Sequence, residues 1–232
     1  MPRKDCRAEP PHGTIVSLSE EQALTTSSHF FKRPPKAQGL YDPAFEKDSC
    51  GVGFVVNFKG VKSHDIVLQG LQVLENLTHR GATAADPLVG DGAGMLMQMP
   101  HRFFSEAVGP LGFSLPDAGA YGVGMIFLPM DEKERARCES IINDKIGSEG
   151  QKVLGWRTVP VVVDGLGDAS REVRPYIRQV FVTPPSGGMD QESVDQDSLE
   201  RKLYVIRRLI EKAAKEAGIE DFSIPSMSCR TI

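Results

Sequence analysis

Cys50 is the residue whose setting most clearly allows chemistry. Before it runs Gly39-Leu40-Tyr41-Asp42-Pro43-Ala44-Phe45-Glu46-Lys47-Asp48-Ser49, a polar stretch with turn residues. After it runs Gly51-Val52-Gly53-Phe54-Val55-Val56-Asn57-Phe58, which reads as a strand opening with two glycines. A cysteine at the first position of a strand, behind a loop that cleavage would remove, points to an N-terminal nucleophile. Cutting the Ser49–Cys50 bond gives one residue both a thiol and a free α-amine. That amine, with an ordinary pKa of about 7.7–8.0, has the strength to take the thiol proton near neutrality. A small buried cysteine at a strand start is the other use of such a residue. Cys50 and its flanks alone leave both open.

The elements that must position Cys50 follow from patterning. The strand is expected over Cys50 to about Phe58, turning at Lys59-Gly60. Gly51 and Gly53 allow a close approach by backbone or ligand, or serve simple packing or a bulge. Ser63 caps a helix with Val67, Leu71, Leu74 and Thr78 on one face and Asp65 in its first turn, ended by Gly81. Arg80 then stands at a helix C-terminus, which the dipole favours. Met95 to Met99 reads as a buried strand stopped by Pro100, and Tyr121 to Leu128 as another. Asp131 with Glu134 forms a capping box for a helix ending near Gly147. Thr158 to Val163 and Ile177 to Thr183 are rich in β-branched residues and read as strands. A polar loop spans about 184 to 196. Asp197 with Glu200 makes a second capping box, and Leu199, Leu203, Ile206, Ile210, Ala213 and Ala217 form an amphipathic stripe stopped by Gly218. Periodicity alone favours an α/β layering.

Several tempting motifs fail on their surroundings. Gly90, Gly92 and Gly94 do not make a phosphate loop, since no G-x-G-x-x-G is present and a strand, not a helix, follows. Gly51-Val52-Gly53 lacks a third glycine and a preceding strand. Asp91 is expected to help shape a cleft, while Asp42, Asp48 and Ser49 suit an exposed processing loop. The cysteines Cys6, Cys50, Cys138 and Cys229 form no CxxC pair, and no cysteine–histidine cluster has zinc spacing, so no metal site is expected.

The 232 residues are 40% hydrophobic and 25% charged, an ordinary globular composition. A formal charge of -4 gives no reason to expect nucleic acid or an anionic membrane surface as partner. No apolar run has the length of a membrane span. The first thirty residues lack a secretory apolar core and carry Asp5, Glu9, Glu20 and Glu21, which argues against a transit peptide. The cytoplasm is the default location. Residues 1–49, polar and without sustained periodicity, read as a flexible leader or propeptide, and 50–232 as the folded domain.

The segment from Gly39 to Phe54, then Asn76-Leu77-Thr78-His79-Arg80-Gly81-Ala82 and Gly90-Asp91-Gly92-Ala93-Gly94, closely resembles the start of the glutaminase domain of glutamate synthase large chains. The resemblance continues through Leu154 to Val161, Gln179 to Val182, Arg201 to Arg208, and Ser226-Met227-Ser228-Cys229-Arg230-Thr231-Ile232, and covers about residues 39 to 232. That family is a class II glutamine amidotransferase whose mature chain begins at the catalytic cysteine. The resemblance implies an α+β fold, the four-layer αββα sandwich of N-terminal nucleophile hydrolases, with the Cys50 strand central in one sheet. It implies that Cys50 attacks the side-chain amide of L-glutamine, that Ser49–Cys50 is the processing site, and that Arg80 and Gly81 support the nucleophile. His79 is implied as a structural neighbour.

In the family, the arginine that grips the glutamine carboxylate, the asparagine–glycine oxyanion hole and the aspartate for the substrate amine follow the Ser-x-x-Thr-Ile strand that closes this sequence. The domain is therefore expected to be incomplete at its C-terminus and the chain an inactive fragment. Its 199–217 helix and 222–232 segment are expected to lack packing partners. The resemblance places FMN, an iron–sulfur cluster and a nicotinamide or ferredoxin electron donor in the remaining synthase domains, with none in this segment. Two further readings stand beside it: a non-catalytic interaction protein retaining half of the fold, and another class II amidotransferase, such as a purine-pathway or asparagine-forming enzyme. The long leader argues against the latter.

Overall fold

The computed structural model describes residues 39, 51–77, 81, 88, 90, 92–185 and 195–232. Two units are distinguished, Met1–Asp48 and Ser49–Ile232, and apart from Gly39 every described residue belongs to the second.

The centre of the second unit is a four-stranded sheet of β1 (Gly122–Leu128), β2 (Lys152–Thr158), β3 (Tyr176–Thr183) and β4 (Ser223–Ser228), in the order β2-β3-β1-β4. All its pairings are antiparallel, so the chain is α+β and not the α/β layering that alternation alone favours. Alternate residues face opposite ways. Ile126, Leu128, Val180 and Val182 point to one core, and Val123 and Phe181 to another.

The first core is covered by α3 (Glu132–Ser148) and α5 (Gln196–Glu216). Cys138, Ile142 and Ile146 of α3 and Leu199, Leu203, Ile206, Ile210 and Ala214 of α5 are buried there. Each large aliphatic side chain so covered contributes about 1.5–3 kcal/mol. Gly122 is what lets α5 lie close: a Cβ built there would stand 2.4 Å from Leu203 Cδ1. The opposite face is covered by α2 (His101–Val108), whose Phe104 and Val108 are fully buried with Tyr121 and Phe181. Phe104 meets Phe181 edge-on at 5.3 Å between centroids, an arrangement favoured by the ring quadrupoles. A 3-10 turn, Gly109–Leu111, follows α2, and a short α4 (Asp168–Glu172) precedes β3.

Several expectations hold. The strands at Tyr121–Leu128 and Ile177–Thr183 appear within one residue of the expected start or end, and α3 is capped by Asp131, whose carboxylate accepts from the Lys133 and Glu134 amides. Others are corrected. The strand expected over Thr158–Val163 instead ends at Thr158, because Pro160 has no N–H for the ladder, and its true body is the upstream Lys152–Arg157. The second capping box is displaced. Asp195 caps α5 by accepting from Asp197 N–H at 3.1 Å, while Asp197 and Glu200 turn to the segment after β4. The helix at Ser63 spans His64–Asn76 (α1) and stops short of Gly81, and Ser63 stands at its N-cap without a side-chain bond.

The expectation that residues 199–217 and 222–232 lack partners is overturned. β4 pairs with β1, and the α5 stripe is buried on the sheet. Ile232 exchanges backbone bonds with Met97, at 2.8 and 2.9 Å, and Met99 N–H donates to Arg230 O at 2.8 Å. Met95–Met99 is accordingly an isolated bridge at Gln98–Thr231 and not a full strand. Pro225 is tolerated because β4 lies at the sheet edge and is irregular there.

The described thiols are sealed in this core. Burial pushes Cys138 up to about 11 and Cys229 up to about 12, with Glu134 adding to the first and Glu200 to the second. Both folded values lie above the ordinary 9.0, so the thiol-linked stability is complete below that pH and is lost as pH rises through about 11 and 12. Neither thiol should react with a disulfide reagent at about pH 8 until the chain is unfolded. Rapid titration of both in the native protein would contradict this packing.

Candidate active site

Cys50, Ser49, Arg80, His79 and Asp91 lie outside the described residues, and Gly81, which is described, is exposed. The described segments that adjoin Cys50 and Arg80 in the chain are residues 51–57 and α1. Residues 51–57 belong to no described strand, which corrects the expected strand over Cys50–Phe58. A strand needs a ladder, and the backbone bond found here is the turn contact from Gly60 N–H to Asn57 O at 2.9 Å. Val52, Phe54 and Phe58 are 84%, 88% and 101% exposed, so the alternating face that should sit in a core is uncovered. The turn itself is as expected: Asn57 Oδ1 accepts from Lys59 N–H at 2.8 Å, and Gly60 takes φ +66°, which favours glycine.

This segment lies against α1. A Cβ on Gly53 would fall 2.4 Å from Val73 Cγ1, so here glycine serves close packing against a helix. One helical turn earlier, a Cβ on Gly70 would fall 2.7 Å from Met95 Sδ. The chain that follows Cys50 and the chain that precedes Arg80 are thus held together by glycine contacts, and α1 is held in turn by Met95. Lys62 adds a bond from its Nζ to Met99 O at 3.4 Å. An open recess beside the turn is lined by Val56, Phe58, Lys59, Ser63, Asp65 and Ile66.

Chemically reactive groupings are few among the described residues. No set of three His, Cys, Asp or Glu residues is placed to hold a metal. Cys138 and Cys229 are buried singly, and their raised pKa values suit neither nucleophile nor metal ligand. They do not fit an iron–sulfur centre. The pair that sequence patterning missed is Glu200 with Cys229: Glu200 Oε2 accepts from Cys229 N–H at 2.9 Å and Cys229 Sγ at 3.1 Å. The only trace of it in the sequence is the carboxylate three residues after Asp197, a spacing that reads as a capping box although Asp195 is the actual cap.

The profile of the class II glutamine amidotransferases matches residues 50–232, opening at Cys50. This chain belongs to that family. It is 46% identical over 202 residues to the glutamate synthase [NADPH] large chain of Bacillus subtilis, covering 87% of this chain and 13% of that protein. It is 40% identical over 195 residues to the corresponding large chain of Azospirillum brasilense, covering 83% and 12%. To ferredoxin-dependent glutamate synthase 2 of Synechocystis it is 38% identical over 187 residues, covering 81% and 11%. This amidotransferase chain thus spans about an eighth of the length of the relatives it matches. It is an enzyme domain of the glutamate synthase large-chain type, with an antiparallel sheet and helices. Among the described residues no helix is long and apolar enough to cross a membrane.

Proposed function

We propose that this chain is the glutaminase part of a glutamate synthase, with Cys50 as its N-terminal nucleophile and residues 1–49 as a leader removed by cleavage at Ser49–Cys50. The observation that carries the reading is that the family match opens at Cys50 and leaves residues 1–49 outside it. The Cys50 thiol gives its proton to the α-amine of the same residue, through a water, and the thiolate attacks the side-chain amide carbon of L-glutamine. The C–N bond breaks, ammonia leaves with a proton returned by the amine, and a γ-glutamyl thioester remains. Water then cleaves the thioester, the amine again taking its proton, and glutamate departs with the thiol restored. Arg80, with Gly81 beside it, holds the cysteine segment and favours the thiolate by its charge.

The αββα sandwich belongs to the same proposal. The sheet with α3 and α5 on one face supplies a sheet layer and a helix layer, and the uncovered alternating face of residues 52–58 has the character of a strand awaiting a second sheet. In the whole protein the ammonia serves to make glutamate from 2-oxoglutarate, with flavin, iron–sulfur and electron-donor chemistry in other domains. Hydroxylamine tests the central step, because it intercepts a thioester. Added to the full-length protein with glutamine, it should yield γ-glutamyl hydroxamate at the expense of glutamate. Turnover without any hydroxamate would count against a thioester on Cys50.

A further inference from the structure

We infer that Arg157 and Gln179 form a carboxylate-binding site on the open face of the sheet, filled in the full-length protein by an aspartate or glutamate side chain from beyond Ile232. The strand register sets Arg157 of β2 opposite Gln179 of β3, and Gln179 opposite Met125 of β1. Residues directly opposite in antiparallel strands point to the same face, so these three side chains lie in one row. Met125 packs with the second core, which places the row on the face turned away from α3 and α5. Arg157 Nη1 donates to Gln179 Oε1 at 2.9 Å. The guanidinium carbon of Arg157 stands 5.4 Å from the centre of the Phe103 ring, on α2.

Both polar groups are held in place with donors to spare. Gln179 is 5% exposed, and its one bond uses the oxygen, which leaves Nε2 without a partner among the described residues. Arg157 is half-buried and meets no carboxylate among the described residues. Its neighbour across the sheet shows the contrast: Arg178, on the opposite face, has Glu139 at 2.6 Å. A neutral amide offsets a half-buried cation poorly, whereas a carboxylate accepts from the guanidinium fork through two parallel bonds. The amide group of Gln179 adds a donor at the edge of that fork. A protein segment fits this face better than a small free ion, because the site is ringed by apolar surface: Phe103 is 52% exposed, and Met125 and Phe127 are half-buried. Most of the polypeptide able to bring such a segment lies beyond these residues, since the chain covers 13% of its Bacillus subtilis relative.

The test is a zero-length cross-link in the full-length protein carrying Arg157→Lys, with Arg157→Gln as the control and labelled glutamate in the buffer. A water-soluble carbodiimide activates a carboxylate, the amine introduced at position 157 attacks it, and an amide forms as the reagent leaves as its urea. Peptide mapping should find position 157 joined to an aspartate or glutamate numbered above 232, and no such product from Arg157→Gln. Charge reversal then checks the pairing. Arg157→Glu should lower the melting temperature, and replacing the identified acid with arginine in the same chain should recover about half of the loss or more. A cross-link to labelled glutamate, to residues within 1–232 alone, or to nothing would overturn the inference. If Arg157→Lys does not fold, a structure of the unsubstituted full-length protein decides. A side-chain carboxylate within about 3.2 Å of the Arg157 guanidinium is expected, and water alone in its place would contradict it. None of these readouts depends on turnover at Cys50.

Discussion

Cys50→Ala in the full-length protein should abolish glutamine-dependent glutamate formation while sparing formation from ammonia. Deleting the nucleophile of an enzyme that works through a covalent intermediate costs on the order of 10⁶ in turnover. No other described thiol can take over the role. Cys138 and Cys229 are buried in the core under α3 and α5, with pKa values pushed up to about 11 and about 12. Cys138→Ala is therefore the control, and it should retain glutaminase turnover. Ammonia-dependent synthesis survives because the proposal puts the two half-reactions at separate sites. Steady-state assays with glutamine and with ammonium as alternative nitrogen donors make the comparison. Equal loss of both activities would mean that Cys50 is structural.

Blocking the α-amine of Cys50 should be nearly as damaging. An amide nitrogen, whether from an uncut leader or from acetylation, has no basic lone pair, so the thiol loses the group that accepts its proton. General-base contributions of this kind are worth about 10²–10⁴-fold. Reductive dimethylation offers a graded version, because a tertiary amine remains basic while an acetylated one does not. Glutaminase activity should survive the first far better than the second. Similar activity in both forms would remove the amine from the mechanism.

The sequence carried the α-helices and strands of the sheet well wherever burial follows simple periodicity. The α5 stripe of Leu199, Leu203, Ile206 and Ile210 is wholly buried, and β3 lies where its β-branched run puts it. What periodicity could not supply was the identity of partners. The alternation in Val52, Phe54, Val56 and Phe58 predicts a strand, but a strand is defined by a ladder, and the described structure offers these residues none. The reverse error befell residues 222–232, whose pairing with β1 and with Met97–Met99 joins segments far apart in the chain. α2 went unrecognised because its apolar face is just Phe104 and Val108 within eight residues, too short to show a period. At the candidate site, residue type and flanking turns are what single out Cys50 as the proposed nucleophile. The glycine contacts at Gly53 and Gly70 were not legible, since a glycine in sequence does not say which side chain needs its missing methyl.

The N-terminus of the active protein tests the account most directly. Glutaminase-active, full-length protein should be purified and its first residues determined by Edman degradation, with the intact mass measured alongside. The account predicts Cys-Gly-Val-Gly-Phe, from cleavage between Ser49 and Cys50. An active enzyme that still carries residues 1–49 ahead of Cys50 would contradict it.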